Sequence, residues 1–185
     1  MTPRVLGIAG SLRTDSYNRK ALQVAKQFAQ HMGAEVSEID LKELDLPAFD
    51  DDIVRSGIPE SVQRLKTSIE SADLILISAP EYNYSIPGGL KNAIDWASKP
   101  KNSFDGKVAA IFGASTGPFG TIRMQPHLRQ ILAGLNVLVT PQPQVFIRSA
   151  REAFNPDGSI KDPKLIDQLR TLVEKSMRLA KAVQD

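Results

Sequence analysis

Residues 74–92 read LILISAPEYNYSIPGGLKN, and the first six of them are apolar or small at every position. A strand with one wet face alternates; a strand without alternation is covered on both faces, as in the interior of a parallel sheet. The run ends in a turn that spends two tyrosines, two prolines and two glycines within ten residues, and LKNAIDW then continues at helical spacing. Strand, unusual turn and helix together form one βα unit, and the rest of the chain repeats the theme. Residues 4–9, 108–112 and 136–140 are short Val/Leu/Ile-rich strands. Residues 35–40 form a more polar strand, suited to a sheet margin. From Tyr17 the apolar positions Ala21, Leu22, Ala25, Phe28, Ala29 and Met32 recur at helical spacing, with Gly33 placed to close the helix. Pro59 opens a helix with Val62, Leu65 and Ile69 on one face. Further helices are expected over 87–98 and 124–133, and a closing one is marked by Leu165, Leu169, Leu172, Val173 and Ala180. Residues 46–57 read as an acidic loop, and Asn155-Pro156-Asp157-Gly158 as a turn.

Composition bounds the function. The 185 residues are 42% hydrophobic and 24% charged, which suits one domain over 1–185 with its own core. No apolar run approaches the roughly 18 residues of a membrane span, so no membrane insertion is expected. The apolar run at the N-terminus ends in Gly10-Ser11-Leu12-Arg13, without the cleavage pattern of an export signal, and reads as a first strand. There are no cysteines, which removes disulfides, thiolate metal sites and thiol nucleophiles and accords with a cytoplasmic location. Redox chemistry would need a borrowed cofactor. The net charge of +2 is spread along the chain, giving little support to nucleic-acid binding.

Five strands joined by right-handed crossovers admit two common sheet orders, that of dinucleotide-binding folds and the flavodoxin-like 2-1-3-4-5. In both, ligands lie past the carboxyl ends of the strands. Three segments of unusual composition sit at such ends: GSLRTDSYN, PEYNYSIPGG and GASTGPFGT. In the flavodoxin-like order, an α/β three-layer sandwich, strands one, three and four are neighbours and these loops converge on one crevice.

The first loop offers the side chains of Ser11, Thr14, Ser16 and Asn18, the charge of Arg13, and the free N–H groups of a helix start. Hydroxyls, helix amides and a guanidinium match a phosphate monoester in number and sign. Read singly, each Ser or Thr could be no more than a helix cap. The glycines fit neither G-x-G-x-x-G nor the nucleoside-triphosphate loop, and Asp40 reads as a solvated strand end. In the second loop Tyr82 and Tyr84 can wall a flat heteroaromatic ring while Asn83 and the loop amides meet its polar edge. The other reading is a plain Pro/Gly turn with tyrosines over the core. The third loop is a small-residue shelf. A phosphate at one end and an aromatic clamp at the other describe flavin mononucleotide in a flavodoxin-like site.

GSLRTDSYNRKAL resembles the G-S-L-R-x-x-S-x-N phosphate loop of the NADPH-dependent FMN reductases, the family of chromate/quinone and azobenzene reductases. PEYNYSIPGGLKNAIDW closely resembles the same family's second signature, and the likeness continues through GASTG and RMQPHLRQIL. It implies that Ser11, Arg13, Ser16, Tyr17 and Asn18 bind the FMN phosphate. It further implies that Pro80, Glu81, Tyr82, Asn83 and Tyr84 hold the ribityl chain and ring, with Ser115 and Gly117 along the ring. The implied reaction is hydride transfer from NADPH or NADH to FMN, then electron transfer to a small-molecule acceptor such as a quinone, azo dye, chromate-like oxyanion or free flavin. A homodimer or homotetramer is implied too, with residues 123–131 as the candidate contact helix. One departure bears on acceptor access: where a second glycine pair is common, this chain has Pro118-Phe119 ahead of Gly120-Thr121.

No side-chain acid or base is needed for such chemistry, and the inventory agrees. His31 and His127 stand far apart, without a zinc or Ser-His-Asp pattern. Asp50-Asp51-Asp52 reads as a solvated run, and Trp96 as core. Two other functions share the fold: a non-enzymatic electron carrier, disfavoured by Arg13 and the mildly basic balance, and a nucleotide-sensing scaffold.

Overall fold

The computed structural model describes residues 2–184. In chain order the elements are β1 (Arg4–Ala9), α1 (Tyr17–His31), β2 (Glu35–Ile39), α2 (Leu41–Leu44), α3 (Asp51–Ser56), α4 (Glu60–Ser71) and β3 (Leu74–Ser78). There follow α5 (Gly88–Ala97), β4 (Val108–Ala114), α6 (Met124–Gly134), β5 (Leu138–Val139), β6 (Val145–Ile147), α7 (Ala150–Ala153) and α8 (Pro163–Gln184). The sheet is parallel, in the order β2-β1-β3-β4-β5, the flavodoxin-like arrangement.

Alternation within the strands builds a core on each face. Ile75 and Ile77 of β3 point into a layer with Leu65 and Ile69 of α4, Leu90 and Ile94 of α5, and Leu128 and Leu132 of α6. Their neighbours Leu74 and Leu76 point the other way, toward Ala21, Leu22 and Ala25 of α1 and Leu169, Leu172 and Val173 of α8. All five residues of β3 are buried, as a non-alternating strand requires; each such aliphatic side chain contributes about 1.5–3 kcal/mol. Gly33, with φ of +83°, follows α1 as its C′ residue. Two lysines finish helices: Lys66 Nζ donates to Ala97 O (3.1 Å) at the end of α5, and Lys107 Nζ to Glu70 O and Ala72 O (2.6 and 2.8 Å) at the end of α4. Carbonyls left open by the helix pattern are thereby satisfied.

Three expectations need correction. The single fifth strand over 136–140 is instead two segments in one lane. β5 pairs with the lower end of β4 and β6 with its upper end. Pro141 and Pro143 fall between them, and neither can donate to a ladder. Residues 46–57 are not all loop: Asp50 accepts from Asp52 N (2.8 Å) and caps α3, with acids favoured in its first turn. Asp40 is not a solvated strand end. It caps α2 by accepting from Lys42 N (2.8 Å) and pairs with Arg19.

Candidate functional site

Loops leaving β1, β3 and β4 meet over Ala79, which sits between two glycines. Gly10 N donates to Ser78 O (2.8 Å) and Ala79 N to Phe112 O (3.1 Å). A Cβ at Gly10 would lie 2.8 Å from that of Ala79, and one at Gly113 would collide with the Ala79 carbonyl. Close approach of three strand crests brings the loops within reach of one ligand.

Beyond these crests lies a crevice of about 140 Å³ lined by Ser11, Arg13, Ser16, Tyr82, Ser115 and Thr116, among others. Three serines share one geometry. Ser11 Oγ accepts from Arg13 N (3.4 Å), Ser16 Oγ from Asn18 N (3.2 Å) and Ser115 Oγ from Gly117 N (3.2 Å). Each hydroxyl therefore holds its own loop through a lone pair and keeps its O–H free to donate. Ser16 caps α1, whose first turn carries no acid, and Asp15 just before the cap is paired with Lys20 (2.8 Å), so the helix start offers partial positive charge to an anion. This donor set suits a phosphate. The volume takes a phosphate with part of a polyol chain, and a ring system must extend past it. An adjoining hollow of about 400 Å³, walled by Leu12, Pro87 and Gly88, shares Arg13 and Tyr82 with the crevice.

Of the residues expected at the site, Ser11, Arg13, Ser16, Tyr17, Asn18, Pro80, Glu81, Tyr82 and Ser115 line this crevice. Asn83, Tyr84 and Gly117 do not. Thr14 is exposed and also lies outside it. Tyr82 and Ser85 exchange both backbone hydrogen bonds (3.0 Å each), and Asn83 and Tyr84 form the turn between them with φ of +48° and +66°. Asparagine tolerates that left-handed backbone; a tyrosine there is strained and must be held by its surroundings. Gly117 accepts from Ser149 N through its carbonyl (3.1 Å).

Two side chains line the crevice but spend their polar atoms elsewhere. Asn18 Nδ2 donates to Ala114 O (2.9 Å) and its Oδ1 accepts from Ala114 N (2.8 Å) and Ser78 Oγ (3.3 Å). It clamps α1 to the tops of β3 and β4. Glu81 accepts from Arg123 N (2.9 Å), Met124 N (3.1 Å) and Arg123 Nη1 (2.9 Å). Its carboxylate thus caps α6 across the crevice mouth. Burial acts to raise the Glu81 carboxyl, but the Arg123 guanidinium and the two N–H donors together outweigh it and hold the group below its ordinary 4.5. A depressed carboxylate stabilises the fold above its unfolded value and loses that contribution as pH falls through the folded one. The Glu81 bridge is therefore complete at neutral pH and fails only below about 4.5. Glu81→Gln should flatten the acid limb of stability: urea melts from pH 3 to 7 are expected to show wild type losing its advantage over the variant as the medium is acidified. An advantage that does not shrink at all as the pH falls from 5 to 3 would contradict this.

Residue-by-residue reading also missed an outer strut. Arg123 stands 4.3 Å from the ring centre of Tyr84 and 5.1 Å from that of Phe119, a cation–π arrangement that ties the second loop to the third. It holds the strained Tyr84 turn in place. His127 Nδ1 lies 3.1 Å from Ser85 Oγ, on the outer side of the same loop. Among the described residues no cluster of His, Asp and Glu is arranged to hold a metal.

The profile of the NADPH-dependent FMN reductases matches residues 3–152. An NAD(P)H-dependent FMN reductase of Pseudomonas aeruginosa is 45% identical over 177 residues, covering 95% of this chain and 91% of that enzyme. A quinone reductase of Escherichia coli is 37% identical over 90% of this chain and 89% of its own. Among solved structures, the flavoenzyme NAD(P)H:(acceptor) oxidoreductase FerB of Paracoccus denitrificans superposes with a TM-score of 0.88 at 37% identity, covering 98% of each chain. With matches of this extent over a crevice whose hydroxyls and helix amides suit a phosphate, the chain belongs to the NADPH-dependent FMN reductase family.

Proposed function

We propose that this chain is an FMN-dependent NAD(P)H oxidoreductase with a small-molecule electron acceptor, quinones foremost. The observation that carries the reading is the crevice where three serine hydroxyls, the start of α1 and Arg13 converge while the carboxylate among its lining residues, Glu81, is already engaged. Ser11, Ser16 and Ser115 would donate to the phosphate and the sugar-alcohol chain, and Arg13 would neutralise charge at the rim. Asn18 acts through the main chain it fixes. Glu81 contributes position, holding Pro80 to Tyr82 against α6. Tyr82, half exposed beside the crevice, would wall the ring, with Tyr84, Asn83 and Gly117 as outer supports of the two loops that flank it.

In this crevice FMN would supply the redox chemistry that links NAD(P)H to the acceptor. The chain itself need only bind, orient and shield. The N-terminus of α5, uncapped by any side chain, adds partial positive charge beside the second loop and favours an electron-rich ring. Phe119, 56% exposed in the third loop, narrows the approach to that ring and bears on acceptor choice. We place the protein in the cytoplasm as a homodimer or homotetramer joined through 123–131; the exposed Tyr84, Phe119 and Ile122 near that helix support such a contact.

The purified protein should be yellow and should oxidise NADPH or NADH steadily when given a quinone. A colourless preparation that takes up no added FMN would overturn the reading, and tight FMN without turnover would favour an electron carrier. Arg13→Ala is expected to weaken FMN by about 1.5–3 kcal/mol, the usual worth of a charge-assisted contact, measured by flavin fluorescence quenching. An unchanged affinity would remove Arg13 from the site.

A further inference from the structure

Arg19 stands in the first turn of α1, where a positive charge opposes the helix dipole, yet it makes the most complete set of contacts around the first loop. Its Nε donates to Arg13 O (3.0 Å) while Nη1 and Nη2 donate to Asp40 Oδ2 and Oδ1 (2.6 and 2.7 Å). The two side chains are only 18% and 19% exposed. Asp40 is itself fixed, because Oδ1 also accepts from Lys42 N (2.8 Å). A rigid arch thus runs from the α2 cap through Arg19 to the main chain of Arg13. That main chain is held from the other side by Ser11 Oγ, which accepts from Arg13 N. Arg13 is therefore gripped at both its N–H and its C=O, one by the serine that faces the crevice and one by the ion pair behind it.

We propose that the Arg19–Asp40 pair is a positioning device for phosphate binding: it sets the bend at Arg13 before any ligand arrives, so that the cradle is preformed. The planar fork of arginine is needed, since Nη1 and Nη2 meet the two carboxylate oxygens side by side while Nε, in the same plane, reaches the Arg13 carbonyl. A cradle fixed in advance spares the ligand the ordering cost of the loop. The inference rests on the FMN reading above.

Direct charge and positioning predict opposite outcomes at Asp40. If only the local field mattered, removing its negative charge would tighten an anion; if the arch sets the loop, it weakens one. The test titrates the flavin-free full chain with FMN and with riboflavin, which lacks the phosphate, following flavin fluorescence. Arg19→Ala is expected to weaken FMN roughly tenfold while leaving riboflavin within about twofold. Arg19→Lys, which keeps the charge and loses the fork, should behave similarly. Asp40→Asn retains an oxygen for the α2 cap and should weaken FMN about threefold or more. These two near-isosteric changes keep the test decisive should Arg19→Ala fold poorly. An FMN-to-riboflavin ratio unaltered in the Arg19 variants, or tighter FMN in Asp40→Asn, overturns the proposal. A wild type that binds FMN no better than riboflavin overturns instead the phosphate reading beneath it.

Discussion

Gly113→Ala is expected to cost about 3 kcal/mol or more in stability and to abolish FMN uptake at ordinary flavin concentrations. The added methyl would occupy space held by the Ala79 carbonyl and would press on Thr121 Cγ2 at 2.9 Å. The carbonyl is main chain between β3 and the second loop, so no rotamer change relieves the clash. Either β4 separates from β3 at its upper end or the second loop is lifted. Separation would break the register that pairs Ser78 with Phe112 and with it the convergence of the three loops. Urea denaturation monitored by far-UV circular dichroism gives the stability, and flavin titration the site. A variant within 1 kcal/mol of wild type that still binds FMN would mean that the crests tolerate separation.

Asn18→Ala is expected to cost about 3 kcal/mol through a different mechanism. Asn18 is buried, and its amide serves both the N–H and the C=O of Ala114 as well as Ser78 Oγ. Alanine leaves these buried groups without partners, at about 1–3 kcal/mol each where no water reaches them. The loss should also reach the cofactor, because the amide joins the start of α1 to the strand end that carries Ser115. Flavin affinity should therefore fall although no ligand contact of the side chain has been removed. Asn18→Asp is expected to fare no better: a carboxylate can accept from Ala114 N but faces the Ala114 oxygen without a donor. Stability equal to wild type in both variants would show that the clamp is dispensable.

Much of this was legible in the sequence. The non-alternating run from Leu74 announced a central parallel strand, and the three compositionally odd loops marked the crevice, because the close approach of three strand crests demands small and turn-forming residues there. What escaped depends on partners distant along the chain. Asp40 looked like a solvated strand end because Arg19, 21 positions earlier, shows its role only once β2 lies beside β1 and brings the two together. Glu81 looked like a ligand contact, yet its carboxylate finds Arg123 and the start of α6, 42 positions on. Asn18 matched a phosphate loop by type while its amide closed on Ala114. The acid run at 50–52 did carry a usable local signal, a capping aspartate followed by first-turn acids, but charge density was read as solvation. The broken fifth lane was signalled by Pro141 and Pro143, which the apolar run before them outweighed.

That broken lane has a bearing on how the molecule keeps company. One margin of the sheet offers two paired residues, then prolines, then three more, too little uninterrupted ladder for a foreign strand to zip onto. The opposite margin, β2, presents Glu35 and Ser37, and charge there discourages annealing. Neither border invites fibrillar growth, so a crowded solution of this protein is left with its helical flanks as the means of association.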